Sequence, residues 1–131
     1  MNRVLEAGLA GAVLSGVPST AVALWRGEDV LEGARAAGRI VLPRETRTPV
    51  LLAAAVPVHL GLSLGWAAVL DALDAGPVRG LAAAMGIAAL DLVAIGRRLP
   101  AIRELPQPRQ WADHAAYGLV VGACLRVRRG S

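Results

Sequence analysis

Phenylalanine and lysine are absent from the 131 residues, and cysteine occurs once, at Cys124. A lone cysteine excludes an intrachain disulfide and any zinc cluster built on cysteine. Without Phe, the aromatic side chains reduce to Trp25, Trp66, Trp111 and Tyr117, whereas a water-soluble core of this size draws much of its buried area from large rings. Every basic residue is an arginine, 14 against 10 acidic residues, for a net charge of +4. That balance could suit nucleic acid, but the arginines are scattered between apolar runs and form no dense block, so no nucleic-acid partner is expected. A nucleophile elbow, a phosphate loop and a dinucleotide fingerprint are also missing, which leaves no catalytic or cofactor-binding residue to name.

What is present is apolar. Hydrophobic residues make up 55% of the chain and the mean hydropathy is +0.51, and 131 residues accommodate one domain. The run from Pro77 to Pro100, PVRGLAAAMGIAALDLVAIGRRLP, sets the pattern. Gly76 and Pro77 start a helix, with Pro at a first-turn position whose N–H has no intrahelical partner. Carried to Ile95 the helix is about 29 Å long, close to the hydrocarbon thickness of a bilayer, and from Val78 onward only Arg79 and Asp91 are charged.

Spans are expected at about 4–25, 50–70, 77–97 and 111–126, with an amphipathic segment at about 28–42. The first span is kinked by Pro18, and Ser15, Ser19 and Thr20 are placed to re-satisfy the freed carbonyls. The same residues also fit a signal peptide cleaved after Ala21-Val22-Ala23, a reading in which Glu6 is out of place. In the amphipathic segment Val30, Leu31, Ala34, Ala37 and Val41 recur at helical spacing, with Glu28, Glu32, Arg35 and Arg39 largely opposite, which describes a surface helix stopped by Pro43. Thr48 caps the second span and Pro49 sits at its first position. Pro100, Pro106 and Pro108 deny the next link a regular helix. Ala112 to Leu125 gives only about 21 Å of helix, short for a span, but Gly118 and Gly122 form a small-residue face for close packing within the chain or onto a second copy. The fold class is therefore all-α: an integral membrane bundle of four transmembrane helices, with three as the alternative, plus a short surface helix.

Six polar side chains fall in one half of such a bundle: His59, Ser63, Asp91, Asp113, His114 and Tyr117. A carboxylate at the bilayer centre costs roughly 2.5 to 3.5 kcal/mol on insertion scales, so Asp91 should face inward onto a partner, with His59, His114, Tyr117 and Arg98 as candidates. Three uses fit. The cluster could fix helix packing; it could carry protons or ions through a wet cavity; or two histidines and two aspartates could bind a divalent metal. Adjacent Asp113 and His114 point about 100° apart on a helix, so only one naturally faces a given centre.

The segments GAVLSGVPST, HLGLSLGW from His59 to Trp66, LDLVAIGRRLP from Leu90 to Pro100, and ADHAAYG from Ala112 to Gly118 resemble a group of small uncharacterised multi-pass inner-membrane proteins, mainly of actinobacteria. The resemblance implies a helical inner-membrane protein with no known activity and transfers no site residue. The expected function is a structural or accessory membrane role. The alternatives are a proton-coupled or ion-conducting transporter using Asp91 and the histidines, and a divalent-metal binder. The expected partners are the lipid bilayer and a second copy through Gly118 and Gly122.

With four spans, the loops after the first and third carry nine arginines, at 26, 35, 39, 44, 47, 97, 98, 103 and 109, against five on the other side. The positive-inside rule places those loops in the cytoplasm and both termini outside. Three spans would instead leave the C-terminal arginines on the cytoplasmic side. In a Cys124→Ala background, Ser131→Cys is expected to react with a membrane-impermeant maleimide applied to spheroplasts; labelling only after lysis would require an odd number of spans.

Overall fold

The computed structural model describes residues 2–131, and every regular element among them is helical. In order these are α1 (Arg3–Leu14), α2 (Val17–Arg26), α3 (Glu32–Gly38), α4 (Thr48–Ala72), α5 (Pro77–Ala88) continuing into a π-helical segment (Ala89–Ile95), α6 (Pro100–Arg103) and α7 (Gln107–Gly130). Three stretches are long and apolar enough to cross a membrane: Arg3–Arg26, Thr48–Ala72 and Pro77–Ile95.

The first of these is broken at Ser15 and Gly16, because Pro18 cannot donate to the carbonyl four residues back and its ring crowds that carbonyl. α2 then closes on Gly27, which takes the left-handed conformation at φ 67°, while Glu28 N–H returns to Ala23 O at 2.8 Å. α4 runs through Pro57 without breaking. Ahead of it, Glu45 accepts from the N–H groups of Thr46 and Arg47 and from the Arg47 guanidinium, which holds its carboxyl down at about 2. The helix begins at Thr48, one residue earlier than expected, with Arg47 in the capping position.

Two other boundaries differ from the sequence reading. The surface helix expected over 28–42 shrinks to Glu32–Gly38, because Asp29 captures the Leu31 N–H and ion-pairs with Arg35, and because Gly38 abuts the backbone of Leu51 on α4. It packs on α4 and α6, with Ala36 and Gly38 buried. The proline-rich link contains one helical turn, Pro100–Arg103, since Pro100 and Pro108 both sit at helix starts where proline is tolerated. The last helix therefore extends to Gln107–Gly130, about 36 Å, in place of the short run anticipated.

The helix α7 is the hub of the bundle, packing on α1, α2, α4 and α5. Its contact with α5 is backbone on backbone: a Cβ added to Gly118 would lie 2.2 Å from the Gly80 carbonyl oxygen, and one added to Gly122 would lie 2.5 Å from that of Gly76. The two glycines expected to form a packing face thus serve the intrachain contact. At the end where both termini lie, Arg3 and Arg129 bind Asp71 at 2.9 and 3.0 Å, Arg129 also reaches Asp74, and Arg128 meets Glu6. These pairs tie the start of α1 to the ends of α4 and α7, which run parallel to each other and antiparallel to α1.

The core is split. Ala7, Ala67, Leu70, Ala75, Tyr117, Val121 and Leu125 form one cluster toward that end. Ala36, Ala88, Leu92, Ile102 and Leu105 form another near α3 and α6. Gly118→Ala is expected to destabilise the bundle by about 2 kcal/mol, because the facing backbone has no flexible group to yield. Gly61→Ala, where an added Cβ meets nothing within 4 Å, should be neutral in the same thermal unfolding measurement in detergent.

Candidate functional site

Between the two core clusters lies a cleft of about 640 Å³. α1–α2, α3, α4, the π-helical segment and α7 all contribute to its lining. Although consecutive, α4 and α5 make no substantial contact with each other among the described residues, so the cleft occupies the space left between them. All six of the polar residues singled out from the sequence line it: His59, Ser63, Asp91, Asp113, His114 and Tyr117.

The break in the first span decides where several of them go. A helix interruption leaves backbone donors and acceptors without intrahelical partners. On the acceptor side, His59 Nε2 donates to Ala12 O at 2.8 Å. One turn on and away from the break, Ser63 Oγ donates to Gly8 O inside α1 at 2.7 Å, and Tyr117 Oη donates to the Ser63 carbonyl inside α4. The donor side is served by Asp113, whose Oδ1 accepts from Ser19 N–H at 2.8 Å. A carboxylate on α7 thereby caps the start of α2 from another helix. The serines expected to repair the kink do little of this: Ser19 Oγ contacts Gly16 O at 3.3 Å, and the main repairs come from α4 and α7.

Asp91 and His114 form the second unit. Asp91 lies in the π-helical segment, whose wider turn is marked by Gly96 N–H bonding to Asp91 O across five residues at 3.1 Å. Such turns are rare and concentrate at functional sites. His114 Nδ1 donates to Gln110 O at 2.8 Å, and Nε2 lies 3.2 Å from Asp91 Oδ2. A carbonyl only accepts, so Nδ1 carries a hydrogen, and the contact at Nε2 then requires one more proton between imidazole and carboxyl. The pair is either imidazolium with carboxylate or imidazole with carboxylic acid. It holds one proton beside the cleft in both forms.

The candidates for Asp91 thus reduce to His114, with His59 committed to α1. As their divergence on the helix required, Asp113 and His114 serve different elements. No group of three or more His, Cys, Asp or Glu side chains able to hold a metal ion occurs among the described residues, so the two-histidine, two-aspartate set is not assembled there. Ser19, Trp66, Arg109 and Gln110 also line the cleft, although the sequence reading placed none of them in the polar cluster. Arg109 meets Glu28 at 2.6 Å, joining α7 to the loop after α2. Only Pro18 signalled any of this, since a proline break demands polar partners from elsewhere.

Neither a family model, nor a curated protein, nor a solved structure matches the chain.

Ser63→Ala removes the hydroxyl that ties α4 to α1 and is expected to cost about 0.6 to 1.7 kcal/mol, the range for interhelical hydrogen bonds in membrane bundles. Reversible unfolding in mixed micelles measures it; an unchanged free energy would show that Gly8 O is served equally well without the hydroxyl.

Proposed function

We propose that the protein is a small polytopic inner-membrane protein of structural or accessory role, with four spans and a polar cluster that fixes the packing of its helices. The observation that carries this reading is an inverted distribution of polarity. Large apolar side chains point outward, with Trp25 83% and Val78 81% exposed, while His59, Ser63, Asp91, Asp113, His114 and Tyr117 are engaged with backbone or with one another. Apolar surface on this scale calls for lipid or a protein partner.

The helix α7 is more polar than the other three, carrying Arg109, Asp113 and three arginines near its end. It counts here as the fourth span because α1, α2 and α5 shelter it and because it runs antiparallel to α5 over its glycine contact. Polar residues are tolerated at membrane depth when they face protein.

One observation favours a second reading, a proton-coupled or ion-conducting carrier: the proton held by Asp91 and His114 faces an open cleft. Reconstitution of Asp91→Asn into liposomes separates the two. The structural role predicts a less stable or misassembled variant and no pH-driven flux from the parent protein. A conducting role predicts normal assembly and flux that the substitution abolishes.

A further inference from the structure

At the end of the bundle where both termini lie, the side-chain charges do not cancel. Five arginines gather there against three carboxylates, and every carboxylate is paired: Asp71 with Arg3 and Arg129, Asp74 with Arg129, and Glu6 with Arg128. Arg79 and Arg126 are left over, and neither has an ion pair or hydrogen bond among the described residues. These two surplus cations share a hollow. It measures about 390 Å³, lies where the start of α5 meets the end of α7, and has Asp74, Val78, Arg79, Arg126 and Arg129 in its lining. Arg79 stands in the first turn of α5, and Arg126 reaches across from α7, its Cδ 3.6 Å from the point a Cβ on Gly76 would occupy. Arg129 is a fixed wall. Its guanidinium donates to Ala75 O, Asp71 O and Asp71 Oδ1 and pairs with Asp74, so the carboxylate in the lining is already answered. The flanks are apolar: Val78 belongs to the lining, and Leu73 and Val127, next in sequence to Asp74 and Arg126, are 59% and 69% exposed.

We infer that this hollow binds the phosphate of an anionic glycerophospholipid headgroup, held by Arg79 and Arg126, with the acyl chains passing over the apolar side chains beside it. The inference rests on the membrane reading proposed above, which puts the start of α5 at the bilayer surface, and goes beyond it by assigning a ligand. Guanidinium groups with free donors match the oxygens of a phosphate in pairs. A zwitterionic headgroup brings its own cation against the surplus of arginines, and a free phosphate makes no use of Val78, Leu73 and Val127. Topology offers no other reason for the surplus, because the positive-inside rule draws arginines to the opposite face of the bundle.

The probe is phosphatidylglycerol with a fluorescent acyl chain, titrated against the purified full chain in detergent micelles, with phosphatidylcholine of the same chains alongside. Saturable binding of one phosphatidylglycerol per chain, about tenfold tighter than that of the choline lipid, is expected from two arginines at a membrane surface. Arg79→Gln and Arg126→Gln, both on exposed side chains, should each weaken it about fivefold with an unchanged circular dichroism melt, and together they should erase the preference. The two lie on different helices, so a folding defect in one leaves the other to decide. Arg97→Gln, an equal change of charge on an exposed side chain beyond the π-helical segment, should leave binding as it was. Equal binding of the two lipids would overturn the inference, as would a loss as large in Arg97→Gln as in Arg79→Gln. Displacement of the lipid by millimolar inorganic phosphate would also overturn it, marking a site for free phosphate. Failure of the membrane reading shows separately, as a chain recovered in the soluble fraction of cell extracts and folded without detergent; a chain that stays in membranes with no headgroup preference overturns the inference alone.

Discussion

A backbone interrupted in apolar surroundings must find its hydrogen-bond partners on other segments, because an unpaired amide or carbonyl there costs several kcal/mol. The break at Ser15 and Gly16 imposes that demand on the first helix pair, and one side chain each from α4 and α7, His59 and Asp113, answers it. His59 and Ser63 bring α4 onto the carbonyls of α1, and Asp113 brings α7 onto the exposed amide of α2. Tyr117 then links α7 to α4 through the Ser63 carbonyl. Three helices are held in register by polar contacts that would carry little weight in water, where each group has an alternative partner.

Close backbone contact between α5 and α7 supplies the other half of the architecture. Because glycines bring these helices together, α5 follows α7 and leaves α4, its neighbour in sequence, on the far side of a gap. The core is therefore two clusters instead of one. The space between them is lined by the groups that repair the broken helix and by the Asp91–His114 pair. Cleft and polar cluster are thus two aspects of the same packing.

Much of this was legible in the residues. The helical class, the three long apolar stretches, the kink at Pro18 and the shared face of His59 and Ser63 follow from composition and spacing. The length of α7 was not legible, because hydropathy weighs Arg109 and Asp113 as exposed charges whereas the fold gives them Glu28 and Ser19 as partners. Nor was the cap by Asp113, a contact across 94 positions that no local pattern encodes. The surface helix was overestimated because periodicity cannot register that Asp29 competes for the first amide.

The π-helical segment has a consequence for rotational phase. Gly80, Ala84, Ala88, Leu92 and Gly96 are all buried and recur every four residues. In a regular α-helix each step of four overshoots a full turn by about 40°, so a stripe of that period winds around the helix and leaves its partner within a few repeats. The wider turns from Ala89 to Ile95 rotate less per residue and unwind the accumulated drift. One face stays turned inward from the glycine contact at Gly80 to Ile102 and Leu105 beyond the segment. Asp91, one position before Leu92 on this re-phased helix, meets His114 in the correction itself.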